Sequence, residues 1–254
     1  MNKDGGAEPN MQSCVTLILD KYKRTPQRRI LVGIGGRPGS GKTTFAQMLA
    51  AELRKQIPIH LGIQDADSAV AIMSQDGYHL YREELLAMPS SAKALERRGA
   101  EWTFNARKLC RDLQAIRLPA EVNPHGDPPV QLYDDVYVPS FDHAAGDPVE
   151  WNTLVPGTAV VVILEGNYVL YCGTPLWAEV RRSLDVTIFL DCDATICAQR
   201  LCDRHMAAWG ITVEEAMRRA TGSDAVNGSL VEKTRGEADI VLKSVGHRPI
   251  KGHL

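Results

Sequence analysis

The chain has 254 residues, 44% of them hydrophobic, and a formal net charge of −2. That length buries a full core as one domain over 1–254, and the near-neutral balance excludes the global electrostatic footprint of a nucleic-acid binder. No apolar run approaches a membrane span, and the cysteines (Cys14, Cys110, Cys172, Cys192, Cys197, Cys202) include no C-x-x-C pair, so they read as thiols in a reducing compartment. The expectation is a cytoplasmic protein with no nucleic-acid or membrane partner. Gly252-His253-Leu254 loosely matches a small-basic-leucine peroxisomal address, a weaker alternative because glycine stands first.

In chain order, Val15, Leu17, Ile18, Leu19 and Tyr22 predict a helix over residues 11–24. Residues 21–29 are rich in Lys and Arg and read as a solvated connector, with a phosphate-facing patch as the minor alternative. Residues 1–28 are thus an N-terminal helix and connector. Ile30, Leu31, Val32 and Ile34 then form a short apolar run suited to a buried strand. Gly36, Gly41, Lys42 and Thr43 fit G-x-x-x-x-G-K-[ST], and Phe45, Met48, Leu49 and Leu53 recur at helical spacing. Strand, glycine-rich turn and helix are the context this motif requires. A triphosphate needs many donors at close range. The loop Pro38-Gly39-Ser40-Gly41-Lys42-Thr43-Thr44 lets backbone N–H groups curl around phosphates, and the helix N-terminus adds its dipole. Lys42 is placed to reach the β/γ-phosphates, and the Thr43 hydroxyl to sit on Mg²⁺.

Residues 68–74 read as a second buried strand running into Gln75-Asp76-Gly77-Tyr78-His79. A carboxylate at a strand's C-terminal end sits where open α/β sheets place ligands. Position alone leaves that reading level with a plain turn in which Asp76 accepts backbone N–H bonds. Residues 80–117 are helical in two or three pieces, with Asn105 as a cap before the last, and 123–129 is a proline- and glycine-rich loop. Val136-Tyr137-Val138 alternates as a strand and delivers Pro139-Ser140-Phe141-Asp142-His143. Asp134–Asp135 is either solvated hairpin surface or a metal contribution. Residues 159–164 are the most apolar strand and end in Glu165-Gly166-Asn167-Tyr168; residues 186–190 form a fifth strand. Asp193 suits a helix cap better than half of a D-x-D metal pair with Asp191. Arg200 and Arg204, spaced i and i+4 on the next helix, share one face, which is either ordinary surface or a phosphate clamp. Trp209-Gly210 ends that helix; helices over 213–219 and 223–235 and a strand over 238–242 follow.

Taken together, the chain over most of residues 29–250 resembles the phosphoribulokinase/uridine kinase superfamily of P-loop kinases. The glycine-rich loop matches. D-G-Y-H is similar to the D-G-F of bacterial pantothenate kinases, and P-S-F-D-H to P-x-Y-S-H. I-L-E-G-N-Y-V-L resembles L-E-G-x-x-V-L, and T-R-G-E-A-D-I-V-L-K-S-V-G-H resembles T-R-x-R-A-x-L-I-L-x-K-x-x-x-H. The wording D-G-Y-H with E-G-N-Y looks most like the branch of nucleoside- or nucleotide-kinase-like proteins that includes fructose-transport-type kinases. The resemblance implies an α/β P-loop NTPase fold: a doubly wound parallel sheet of about five strands with a helical lid over 195–222. It implies ATP as donor, Mg²⁺ as cofactor, and Asp76 as the base that takes the proton from a substrate hydroxyl. Glu165 would hold Mg²⁺ together with Thr43 or orient the site, Arg200 and Arg204 would close over the transferring phosphoryl group, and His247 would face the adenine. Tyr78, His79, His143, Glu165 and Tyr168 are the substrate-side candidates. Tyr78, His79, Asp142, His143, Asn167 and Tyr168 are rich in hydroxyl-directed donors and acceptors, which favours a sugar, polyol or sugar acid over a nucleoside or pantothenate. A P-loop ATPase or nucleotide-dependent switch is the competing class. A homodimer is admitted but not required.

Overall fold

The computed structural model describes residues 8–25, 28–120 and 132–244. His247, the 123–129 loop and the 252–254 tripeptide lie outside the described residues. Helix α1 (Met11–Arg24) starts at Asn10, whose side chain accepts the N–H of Ser13, and it buries Cys14, Val15, Ile18 and Leu19. It leads to β1 (Ile30–Gly36), buried along its whole length. Helix α2 (Lys42–Leu61) follows directly, with Gly41 as its N-cap at φ 92, a left-handed conformation that only glycine adopts freely.

Five strands form one parallel sheet in the order β2-β5-β1-β6-β7. Here β2 is Val70–Ser74, β5 Val161–Glu165, β6 Val186–Asp191 and β7 Ile240–Lys243. The apolar runs read from sequence become strands buried on both faces, as parallel sheets require. Side chains alternate between two cores. Ile30, Val32 and Ile34 face α1 and α2, whereas Leu31, Val162 and Leu164 face α5 (Ala106–Arg117) and α6 (Pro175–Arg182). The connection leaving β1 runs toward the β2 edge, whereas those leaving β2, β5 and β6 run toward the β7 edge, so the winding reverses beside β1. This puts a ligand crevice beyond the C-terminal ends of β1, β2 and β5.

Two elements went unread in the sequence. Strand β4 (Asp147–Val155) pairs antiparallel with β3 (Val136–Asp142) as a separate ribbon, with a register shift between Val138 and Ser140. Its D-P-V-E-W-N-T-L-V wording lacks clean alternation because of that bulge. Helix α6 is short, but it carries the Thr174 cap and first-turn Pro175 that mark a helix start. Short helices α3 (Arg82–Leu86) and α4 (Ser91–Glu96) precede α5, which Asn105 caps by accepting the N–H of Lys108. Asp193 caps α7 (Ala194–Trp209), so the cap alternative at D-x-D describes the chain; Asp191 pairs with Arg235 at 3.0 Å. Helices α8 (Val213–Thr221) and α9 (Ser223–Glu232) complete the region after β6.

One expectation fails outright. Arg29, read as part of a solvated connector, is 1% exposed. Its guanidinium donates to the carbonyls of Ala159, Ile116 and Pro156 at 2.7, 2.9 and 2.8 Å, and lies 4.2 Å from the centre of the Tyr133 ring. The charge run hid the fact that its last residue abuts the base of the central strand. Burial lowers the Arg29 pKa to about 10.

Candidate active site

A cavity of about 290 Å³ opens at the C-terminal edge of the sheet. Its wall joins Lys42 and Thr43 from the glycine-rich turn, Asp76 from the end of β2, Glu165 and Asn167 from the end of β5, and Arg200 and Arg204 from α7. Four segments far apart in sequence thus deliver the charged groups singled out above to one volume.

Lys42 is 8% exposed. Its ammonium donates to the carbonyls of Gly36 and Arg37 at 3.0 and 2.9 Å and to Asn167 Oδ1 at 2.8 Å. Burial pulls its pKa down, while Glu165 and then Asp76 act to hold it up. Glu165 Oε1 accepts the hydroxyls of Ser74 at 2.8 Å and Thr43 at 3.2 Å. Burial, followed by the nearby Asp76, pushes the Glu165 pKa above its ordinary range, against the pull of Lys42 and the two hydroxyls. Asp76 is half-buried and its carboxylate accepts no hydrogen bond from the described residues. Gly77, next in the chain, has no room for a Cβ because the Pro139 carbonyl of β3 occupies that space. The ribbon therefore lies directly over the turn that presents Asp76.

Around that turn, the His79 ring lies 4.1 Å from Phe104 and 4.8 Å from Phe141, and the Phe141 and His143 rings are 5.2 Å apart. His79 Nδ1 is 2.9 Å from the Asp76 carbonyl oxygen, which can only accept, so Nδ1 carries the proton. Burial lowers the His79 pKa, which keeps the ring neutral at ordinary pH. Tyr78 and Tyr168 are core residues, 1% and 0% exposed, whose hydroxyls go to Asp112 and to the Gly99 carbonyl at 2.8 Å each. Both tyrosines pack behind the site and neither lines the cavity; His143 is exposed on the ribbon.

Arg200 braces the loop, its Nη1 lying 3.3 and 3.4 Å from the carbonyls of Gly39 and Ser40. Arg204 makes no hydrogen bond or ion pair among the described residues and borders the cavity. A second cavity of about 730 Å³ shares Gly41, Thr44 and Arg200 with the first and is lined by Met11, Phe45, Met48 and Leu242. Met48, 57% exposed on α2, belongs to this apolar wall. Sequence reading missed this cavity, although Phe45 and Met48 immediately after the loop were its signal. It also left Asn167 without a role at Lys42.

A parallel sheet with a glycine-rich loop at its switch point, and a lysine, threonine and two carboxylates around it, defines the P-loop NTPase class of fold. The phosphoribulokinase/uridine kinase family model matches residues 133–251. A Schizosaccharomyces pombe protein provisionally named uridine kinase C227.14 is 33% identical over 227 residues, covering 89% of this chain and 87% of that protein. A Silicibacter kinase provisionally named for a fructose transport system superposes with a TM-score of 0.73 at 28% identity, over 92% of this chain and 99% of its own. YFH7 from Saccharomyces cerevisiae, described as a P-loop containing kinase with a circular permutation, has a TM-score of 0.74 at 18% identity, over 92% and 98%. The chain belongs to the phosphoribulokinase/uridine kinase family. Family membership makes it an ATP-dependent kinase. No described helix is long and apolar enough to cross a membrane.

Proposed function

We propose that this protein transfers the γ-phosphoryl group of ATP to a hydroxyl of a small polar metabolite, a sugar, polyol or sugar acid. One observation carries the reading: the Asp76 carboxylate, which accepts no hydrogen bond among the described residues, borders the same cavity as Lys42, Thr43 and Glu165. A carboxylate in that position suits a base that accepts the acceptor's hydroxyl proton as the oxygen attacks phosphorus. The phosphates lie along the glycine-rich turn, and Lys42 moves its donors from the loop carbonyls onto them. The nucleoside takes the larger cavity, where Phe45 and Met48 supply an apolar face. Thr43 and Glu165 offer only oxygen donors, already 3.2 Å apart, a set suited to Mg²⁺ shared with phosphates. Held by Thr43 and Glu165, Mg²⁺ would supply charge neutralisation to the phosphates. Arg204 meets charge on the transferring group while Arg200 holds the loop. His79, Asp142 and His143, grouped on or under the ribbon, are the acceptor-side candidates.

The name of the Silicibacter relative supports a sugar acceptor. A nucleoside is the second reading, favoured by the name of the fission-yeast relative and by the Phe104, His79 and Phe141 rings beside Asp76. A panel of sugars, polyols, sugar acids, nucleosides and pantothenate, scored for ADP release with Mg·ATP, separates them. One narrow class of hydroxyl compound should stimulate release. Preference for uridine or cytidine replaces the sugar with a nucleoside. Equal hydrolysis with and without every compound replaces the kinase reading with an ATPase.

A further inference from the structure

We propose that Gln75, the residue before Asp76, is a positioning residue that fixes Asn167 against the Lys42 ammonium. It thereby sets the nucleotide side of the site relative to the acceptor side. Gln75 is 0% exposed. Its Oε1 accepts the backbone N–H of Tyr168 at 2.8 Å. Its side chain also fills the space that a Cβ on Gly166 would occupy. Gln75 thus grips the chain on both sides of Asn167: by shape at the preceding residue and by a hydrogen bond at the following one. Asn167 between them directs Oδ1 at Lys42 Nζ, 2.8 Å away.

A second observation separates this from ordinary packing. Gln75 Nε2 is buried and has no hydrogen-bond partner among the described residues. An unsatisfied buried donor is a standing cost that an apolar side chain of similar volume avoids. Such a group persists where a site requires it. What Gln75 supplies and an apolar residue cannot is the acceptor for Tyr168, just beyond the Ser74–Glu165 pair that closes β2 on β5. Asp76 is covalently next to Gln75, and Glu165 is one residue before Gly166. One amide therefore registers the base, the carboxylate at the metal position and the lysine's partner.

The inference rests on the kinase reading, and the experiment keeps the two apart. In steady-state turnover with the best acceptor, Gln75→Met should lower kcat about 10–100-fold while KM for ATP moves less than about 3-fold. Combined with Asn167→Ala, the loss should be no larger than that of the more damaging single change, because both break one linkage. Gln75→Glu keeps the acceptor for Tyr168 but adds charge near Glu165 and Asp76. Its activity relative to the parent should therefore rise as pH falls and its carboxyl takes up a proton. Parental kcat and KM in Gln75→Met, or multiplying losses in the double variant, would overturn the proposal. If Gln75→Met does not fold, Gln75→Leu, which also removes the acceptor for Tyr168, decides with Asn167→Ala by the same two criteria. A parent that no acceptor stimulates sinks the kinase reading instead. Hydrogen exchange at the Tyr168 amide then still decides for Gln75: protection lost in Gln75→Met and Gln75→Leu is expected, and parental protection in both overturns it.

Discussion

Two buried cations bracket the central strand, and they are satisfied in different ways. Arg29, just before β1, gives its guanidinium to three backbone carbonyls and lays it on the Tyr133 ring. Lys42, just after the loop that follows β1, has two loop carbonyls and one amide oxygen, and it borders a cavity with two carboxylates on its wall. The arginine's planar fork is matched by fixed acceptors on all sides, so it ties the base of the sheet together. The lysine's rotatable ammonium can exchange its partners for phosphate oxygens at little structural cost. A buried charge saturated by backbone is scaffold; one facing open volume and opposite charge is placed for chemistry.

The largest expected effect is at the scaffold end. Arg29→Met leaves three buried carbonyls without a charged donor and should cost about 3–5 kcal/mol of stability, a drop in Tm of about 6–20 °C. Turnover per folded molecule should be unchanged. Thermal melting paired with active-site titration reads both; a turnover loss without a Tm loss would erase the distinction. At the opposite end, Lys42→Ala should weaken ATP binding or transition-state stabilisation by about 1.5–3 kcal/mol with Tm nearly constant. Parental ATP affinity and turnover in Lys42→Ala would break the comparison from the other side.

The sequence made the Lys42 end legible and the Arg29 end not. Glycine-rich turn chemistry leaves a fixed spacing, so Lys42 and Thr43 were readable before any fold. The strand-end carboxylates pointed to the crevice, but position alone left Asp76 level with a plain turn. The roles of Asp76 and Glu165 came from the family resemblance. Arg29 carried no such signal, because its acceptors come from residues 87 to 130 positions away. The same reason hid the Asn167–Lys42 contact, 125 residues apart, and the wall of the larger cavity, which gathers α1, α2 and β7. Tyr78 and Tyr168 looked like pocket residues because motif position says nothing about which way a ring points. Their hydroxyls found partners in the core instead.

A smaller effect sharpens the comparison at Arg204. Arg204→Ala should lower kcat more than it raises KM for ATP, since a cation meeting developing charge acts mostly in the transition state. A pure KM effect would make it a ground-state contact. The smallest effect concerns Glu165, whose pKa in the fold lies above its ordinary 4.5. In the window above 4.5 the folded protein then binds more protons here than the unfolded chain does, so this residue's contribution to stability rises as pH falls. Urea titrations across that window should give the parent a steeper gain on acidification than Glu165→Gln. Identical slopes would mean that the carboxylate is not held at a cost.

The most direct test of the phosphoryl-transfer account is acceptor-dependent ADP release by the parent and by Asp76→Asn, with ATP affinity measured alongside. The account predicts stimulation by one class of hydroxyl compound in the parent. It also predicts a fall of about 10²–10⁴ in that stimulated rate in Asp76→Asn, with ATP affinity little changed. Stimulated release that survives Asp76→Asn, or ATP binding that collapses with it, would contradict the assignment of Asp76 as the base beside the Lys42 cavity.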